Sequence, residues 1–443
     1  MVEPRVANPP LKGIISPHYW KNYDFLSVPE INQKVGFNRK MTLIIAVFLF
    51  VYFGMMLGKI PGLALDRTGV ALLGAIIFIT TGKTTVEEAW SAVDIGTIAL
   101  LFGLMVISAQ FRLGGFYTAL TRRLADMKVS PKIFLAMIIL TSAFLSAVLA
   151  NDVICLAMTP ILVEGCAKRK LNPVPFLLAL ACSSNIGSAA TIIGNPQNML
   201  IGQVLKLDFV EYLKNALPPS IISLFFVWLV IWAQYRNKLE KDIFLPPIYA
   251  PPFNPWQTTK GIVVLVTLVG AFLFTNLRRD VLALMAAGIL LSSRKMTSKN
   301  TLSLVDWQLL MLFIGLFVVN NVLEKSSLMK STLNIMSGWG INPSHPPTLF
   351  VLTVLLSNLV SNVPAVMLLL PTAVHPLSGP IMALSSTFAG NLLVVGSIAN
   401  IIVIDQALYL NVEISWAEHA KTGVPITVLS LLLAGGWLAI VNF

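Results

Sequence analysis

Several runs of this chain are long and apolar enough to approach or match the about 20 residues that a bilayer span needs. They include TLIIAVFLFVYFGMML (42–57), IISLFFVWLVIWA (221–233) and PITVLSLLLAGGWLAIV (425–441). The whole chain is 56% hydrophobic and only 12% charged, with a mean hydropathy of +0.80. The pattern predicts an all-α polytopic membrane protein. Its net charge of +11 is then a topology signal in short loops rather than a nucleic-acid surface. The three cysteines, Cys155, Cys166 and Cys182, fit no zinc or disulfide spacing, so no metal and no cofactor is expected. The four histidines, His18, His345, His375 and His419, read as loop or flank residues. With no HExxH motif and no Ser/His/Asp set at one depth, nothing points to an enzyme.

The chain is written twice. VDIGTIALLFGLMVI (93–107) resembles VDWQLLMLFIGLFVV (305–319). Val93, Asp94 and Gly103 match Val305, Asp306 and Gly315 at a constant offset of 212, which Arg67/Arg279 and Lys83/Lys295 share. ANDVICLAMTP (150–160) matches SNVPAVMLLLP (361–371). SNIGSAATIIGNPQNMLI (184–201) matches STFAGNLLVVGSIANIIV (386–403) at an offset of 202.

The shared order predicts a polar N-terminal arm (1–41), repeat 1 (42–235), a Pro-rich linker (236–260) and repeat 2 (261–443). The arm has no apolar core, so no cleavable signal is expected. Repeat 1 should hold a re-entrant hairpin over 132–166, its second arm short, and a broken helix over 174–206. Repeat 2 should hold the same over 346–374 and 380–409. Each repeat then crosses five times, an odd number, so two copies in one membrane must be inverted. Inverted repeats with interrupted helices mark secondary transporters, with the site at the midplane between repeats. The break at Gly194–Gln197 fits, because backbone leaves the helix at membrane depth only where it is buried in protein or lines a cavity.

Candidate solute-binding residues are therefore Asn151, Thr191, Gly194, Asn195 and Asn198 in repeat 1, with Asn362, Gly396, Ser397 and Asn400 in repeat 2. Asparagine also favours helix caps, so each asparagine has a capping role open to it as well. Asp152 sits at a hairpin tip opposite an apolar mate, Val363. An aspartate at the bilayer centre costs about 2.5–3.5 kcal/mol on insertion scales and is functional by default. It is the first candidate for proton coupling, with a helix cap at a wet cavity as its other reading, and Asp405, which an interfacial position would suit equally, is the second.

At ANDVICLAMTP, SSNIGSAATIIGNPQN and SNVPAVMLLLP the chain resembles the ion-transporter superfamily over roughly 42–443. Within it, the arsenite–antimonite efflux permeases (ArsB type) and plant silicon efflux carriers are the nearest branch. Dicarboxylate carriers of that group carry Ser-Asn-Thr at both tips. Here the tips read Ala150-Asn151-Asp152 and Ser361-Asn362-Val363, which disfavours sodium and dicarboxylate sites. The resemblance implies export of a small neutral solute, As(OH)3 or Sb(OH)3, in exchange for protons. The rival on the same scaffold is a sodium- or proton-coupled anion or dicarboxylate carrier, and an intramembrane enzyme or channel ranks last. The partners implied are the inorganic solute, protons and the lipid bilayer. An ATPase partner, known for some arsenite permeases, leaves no motif here. Lysine and arginine crowd the loops near 112–132, 168–170, 236–241 and 294–299, which the positive-inside rule puts in the cytoplasm of a bacterial inner (plasma) membrane. The arm's six basic residues fall on the opposite side and conflict with that orientation.

Overall fold

Polar caps cut the apolar chain into helices. Asp66, Thr85, Asp94, Ser130, Asn172, Asn195, Asp208, Asn254, Thr297 and Asp306 each accept a backbone N–H in the first turn that follows. Such a cap is worth about 1 kcal/mol, and it fixes where each element starts. The structure, a computed structural model, describes residues 39–58, 60, 62–239, 252–293 and 296–441. Among them no strand forms, and the residues from Lys40 onward make one unit.

Among the described residues, twenty α-helices fall along the chain as two sets of ten. The first set is α1 (Arg39–Leu57), α2 (Arg67–Thr80), α3 (Val86–Ala92), α4 (Ile95–Leu113), α5 (Phe116–Asp126), α6 (Pro131–Val148), α7 (Asn151–Lys168), α8 (Pro173–Ala189), α9 (Pro196–Val204) and α10 (Phe209–Tyr235). The second is α11 (Pro255–Phe274), α12 (Arg279–Leu291), α13 (Ser298–Leu302), α14 (Trp307–Lys325), α15 (Ser327–Gly338), α16 (Pro346–Val360), α17 (Asn362–Leu369), α18 (Ser378–Ala389), α19 (Ile398–Tyr409) and α20 (Trp416–Val441). Six of them, α4, α6, α10, α11, α14 and α20, are long and apolar enough to cross a membrane, and the protein is an integral membrane protein.

The packing exchanges partners between the sets. α4 lies on α12, and α14 lies on α2. Each contact closes on a glycine. A Cβ at Gly103 would stand 2.6 Å from the Ala283 carbonyl oxygen, and one at Gly315 would stand 2.8 Å from the Ala71 carbonyl carbon. Gly103/Gly315 and Ala71/Ala283 are mates at the offset of 212, so the two contacts are reciprocal. Small residues at such crossings let helix backbones approach where lipid gives no hydrophobic drive. Both hairpins pack on the first half of their own broken helix, α6 on α8 and α16 on α18. The second halves cross over, α19 onto α7 and α9 onto α17.

Four expectations shift. The second arm of the first hairpin outruns its apolar stretch: α7 is 18 residues long through Pro160, about 27 Å at helical rise, yet it is not among the six helices above. Residues 112–132 are not a loop throughout, because they hold α5. That helix buries Ala125 against Gly165 of α7 and places Arg122 3.0 Å from Glu164, which Lys168 also meets at 2.8 Å. Its charges hid an amphipathic helix. α11 begins at Pro255, inside the expected linker, and 240–251 and most of the N-terminal arm lie outside the described residues. His419 is no flank residue; it lies inside α20 and is buried.

Replacing Gly103 or Gly315 by leucine should push α4 off α12 or α14 off α2. Either variant is expected to lose monodisperse protein in detergent extracts, whereas Gly270→Leu, where a Cβ meets nothing within 4 Å, should keep it. Wild-type yields for both crossing variants would sink this packing.

Candidate functional site

Each broken helix is held across its gap by one asparagine. α8 stops at Ala189 and the chain resumes helix at Pro196, whose place at the first helical position forfeits no hydrogen bond. Asn195 caps the restart, its side-chain oxygen accepting the Asn198 N–H at 2.9 Å. The Asn198 amide then reaches back over the gap, donating to the carbonyls of Ser188 (3.3 Å) and Thr191 (3.0 Å). In repeat 2, Asn400 donates to the carbonyls of Gly390 (2.8 Å) and Leu393 (3.2 Å). Those acceptors correspond at the offset of 202, so both asparagines reach back ten and seven residues. The gap glycines close the same way onto the hairpin tips. The Gly194 carbonyl accepts the Asn151 backbone N–H at 3.3 Å. The Gly396 carbonyl accepts the Asn362 amide at 3.3 Å, in the orientation that also lets the Asn362 oxygen accept from Gln197 Nε2.

A second layer ties one repeat to the other. Asn185 of α8 makes four bonds, the full capacity of an amide. Its nitrogen donates to Asn391 Oδ1 (2.8 Å) and Asn400 Oδ1 (3.1 Å), and its oxygen accepts from Asn151 (3.2 Å) and from Ser397 Oγ (2.8 Å). Its mate Thr387 does the reciprocal work, accepting from Asn195 (3.3 Å) and Gln197 (3.2 Å) across the repeat boundary.

Inside this frame lie two small cavities. One, about 30 Å³, is lined by Asn151, Asp152, Pro196, Gln197, Leu309, Ser361, Asn362, Val363, Ser397 and Ile398. Its walls are the first residues of α7, α9, α17 and α19, so four helix N-termini converge there. A helix N-terminus carries about half a positive charge. The other, about 40 Å³, is mainly apolar but holds two carboxylates, Asp152 and Asp306. Asp306 is exposed and caps α14 through the Leu309 N–H at 2.9 Å. Asp152 is half-buried, faces both cavities and pairs with no basic side chain among the described residues. No lysine, arginine or histidine lines either cavity.

Of the expected site residues, Asn151, Asn362 and Ser397 line the smaller cavity with Asp152. Thr191, Gly194, Asn195, Asn198, Gly396 and Asn400 line neither. They belong to the brackets: Thr191 donates to the Ala147 carbonyl of the hairpin, and a Cβ on Gly194 would strike the backbone of Ser188 and Ser146. Asp405 is exposed on α19, away from both cavities, so it is not brought to the site. Sequence reasoning passed over Gln197, Ser361 and Asp306 as cavity residues and Asn185 as the hub. Asp306 was visible as the repeat mate of Asp94, but a mate in a match says nothing of which copy faces a cavity. Ser361 carries a further mark, a φ of 77° with ψ 161°, a region that non-glycine residues enter only under strain of about 1–3 kcal/mol.

Comparison with known proteins agrees with this architecture. A family model described as citrate transporter matches residues 52–389. The silicon efflux transporter LSI3 of Oryza sativa subsp. japonica is 28% identical, covering 84% of this chain and 92% of that protein. A 46 kDa membrane protein of Mycobacterium leprae is 27% identical over 89% of this chain and 97% of its own. The Alcanivorax borkumensis YdaH transporter, whose crystal structure reveals an unusual topology, shares the fold at a TM-score of 0.52 with 14% identity, covering 90% of this chain and 98% of that one.

Two outcomes follow from the brackets. Asn198→Ala and Asn400→Ala each strand two gap carbonyls and should cost about 1–3 kcal/mol, seen as a lower melting temperature of the purified protein. An unshifted midpoint in both would remove the bracket. Ser361→Gly should instead raise stability by about 1 kcal/mol, because glycine takes that backbone without strain; a lower midpoint would contradict the strained tip.

Proposed function

Starting from the premise that this chain belongs to the citrate transporter family of the ion-transporter superfamily, and is a membrane transporter, we propose that it exports a small neutral metalloid hydroxide. Arsenite or antimonite leaves in exchange for protons, by alternating access. One observation carries the reading. Four helix N-termini and the polar side chains of Asn151, Gln197 and Asn362 surround a cavity of about 30 Å³, and Asp152 supplies an acceptor. A trihydroxide offers oxygen lone pairs to the donors and O–H groups to the carboxylate. The cavity is of the size that holds water-sized groups, which suits such a solute better than a tricarboxylate in this arrangement.

Asp152 is the coupling group in this reading. A carboxylate that faces two cavities and has no basic partner is placed to take a proton from one and give it to the other. The second cavity leads toward exposed Asp306, which gives that proton a polar entrance. The repeat parity then sets the hairpins on opposite faces of the membrane, so each gap is reached from its own side. Asn151, Asn362 and Ser397 are the proposed solute contacts, and the bracket asparagines keep those contacts in register.

A second reading draws on the same N-termini. Their summed field, about two positive charges against one carboxylate, also favours a small oxyanion or carboxylate, carried with a proton on Asp152. The two readings separate on one experiment. A sensitive bacterial host expressing the chain should gain resistance to arsenite and antimonite, and everted vesicles should accumulate arsenite under an inward-acid gradient. Asp152→Asn should abolish the dependence on that gradient. No resistance and no gradient-driven flux, with proton-driven anion uptake in their place, would overturn the metalloid reading. Unchanged pH dependence in Asp152→Asn would overturn the coupling assignment.

A further inference from the structure

The two repeats differ behind their breaks. α10 and α20 align Glu211 with Glu418, Lys214 with Lys421 and Pro218 with Pro425, which sets Tyr212 against His419. In repeat 1, Tyr212 straps the break directly. Its hydroxyl donates to the Ala189 carbonyl at 2.8 Å and accepts from the Asn198 amide at 3.0 Å. In repeat 2 the place of Ala189 is taken by Asn391. Its carbonyl comes so close to α20 at Gly423 that a Cβ there would strike it, with His419 Cε1 at 3.2 Å from the same point. The imidazole thus lies beside the end of α18 without bonding it. His419 is 1% exposed, and neither ring nitrogen has a hydrogen-bond partner among the described residues.

Buried polar groups in folded proteins are paired with protein or with bound water. An imidazole is shorter than a phenol by the length of the hydroxyl, so its reach ends where the Tyr212 strap would begin. We propose that His419 is a positioning residue that makes the second break the looser of the two. It holds the end of α18 through a water-sized hydrogen-bonding ligand, where Tyr212 holds the end of α8 directly. The break at 390–397 is then the one that rearranges first when the transporter changes face. The Asn400 bracket keeps its ends together, while the missing phenol strap lets the segment shift against α20. The inference deepens the alternating-access reading above, but its main test does not depend on the solute.

Hydrogen exchange measured by mass spectrometry on the purified full chain reads the two breaks directly. Peptides over 390–397 should exchange about five- to tenfold faster than those over 190–195, the weight of one hydrogen bond. Tyr212→His should raise exchange at 190–195 by a similar factor, and His419→Tyr should lower it at 390–397. Equal protection of the two breaks in the wild type, or an unmoved 190–195 in Tyr212→His, overturns the proposal; these two comparisons decide even where His419→Tyr fails to fold. In vesicles loaded with arsenite, His419→Tyr should slow the maximal rate per folded protein about tenfold at an unchanged half-saturating concentration, because His419 lines neither cavity. Equal losses in both parameters would mark a residue that merely supports the fold and would overturn the positioning role. Should the wild type move no arsenite, the solute assignment fails while the exchange comparison still decides for His419.

Discussion

A helix interrupted inside a membrane leaves backbone carbonyls and amides with no water to pair with, each costing several kcal/mol if left bare. Here that cost is met by a single side-chain type used twice. Asn198 and Asn400 reach back over their gaps to two carbonyls each, and the gap glycines hand their own carbonyls to the hairpin tips. Everything else at the centre depends on those brackets. Only because the gaps are closed on themselves can the tips Asn151 and Asn362 stand at fixed places beside the restarting helices α9 and α19.

The brackets work within a repeat, and the hub works between repeats. Asn185 ties the first broken helix to the second break and to the first tip, and Thr387 returns the tie from the other side. The glycine crossings of α4 on α12 and α14 on α2 make the same exchange farther out. A duplicated chain whose copies grip each other reciprocally has one natural place for a polar pocket, on the pseudo-symmetry axis between them. The four converging N-termini, two from each set of helices, meet at the smaller cavity. Departures from symmetry at the centre include Asp152 against Val363, Tyr212 against His419, and a relaxed Ala150 against a strained Ser361.

Much of this was legible in the residues. The repeat offsets, the two breaks and the polar tips could all be read because apolar periodicity makes any run such as GNPQN conspicuous. An odd number of crossings in each repeat was the ground for expecting them to meet, and it is the tips and the first residues of α9 and α19 that line the smaller cavity. What could not be read was the direction in which each side chain points. Asn151 and Asn198 look alike in sequence, but one lines the cavity and the other turns to backbone. α5 was missed because charged residues on a short helix mimic a loop. His419 was missed because a lone histidine near the start of an apolar run reads as a flank until α18 is seen to pack over it.

The asymmetric acid gives the pocket its sense. Four helix N-termini around one small cavity make a field that by itself would hold an anion tightly and release it slowly. In the proposed exporter, a carboxylate among them lowers that field when ionised and restores it when protonated, so what the pocket holds would depend on one proton. Val363 in place of a second acid would keep the proposed switch single: two carboxylates at the two tips would repel each other across the cavity and share their proton. With one acid, the proposed exchange turns on a single occupancy: a neutral hydroxide would give its O–H groups to the ionised carboxylate and lose that acceptor when a proton arrives. In the proposed exporter, the break in exact symmetry at one tip is therefore what allows a symmetric scaffold to carry solute and proton in opposite directions.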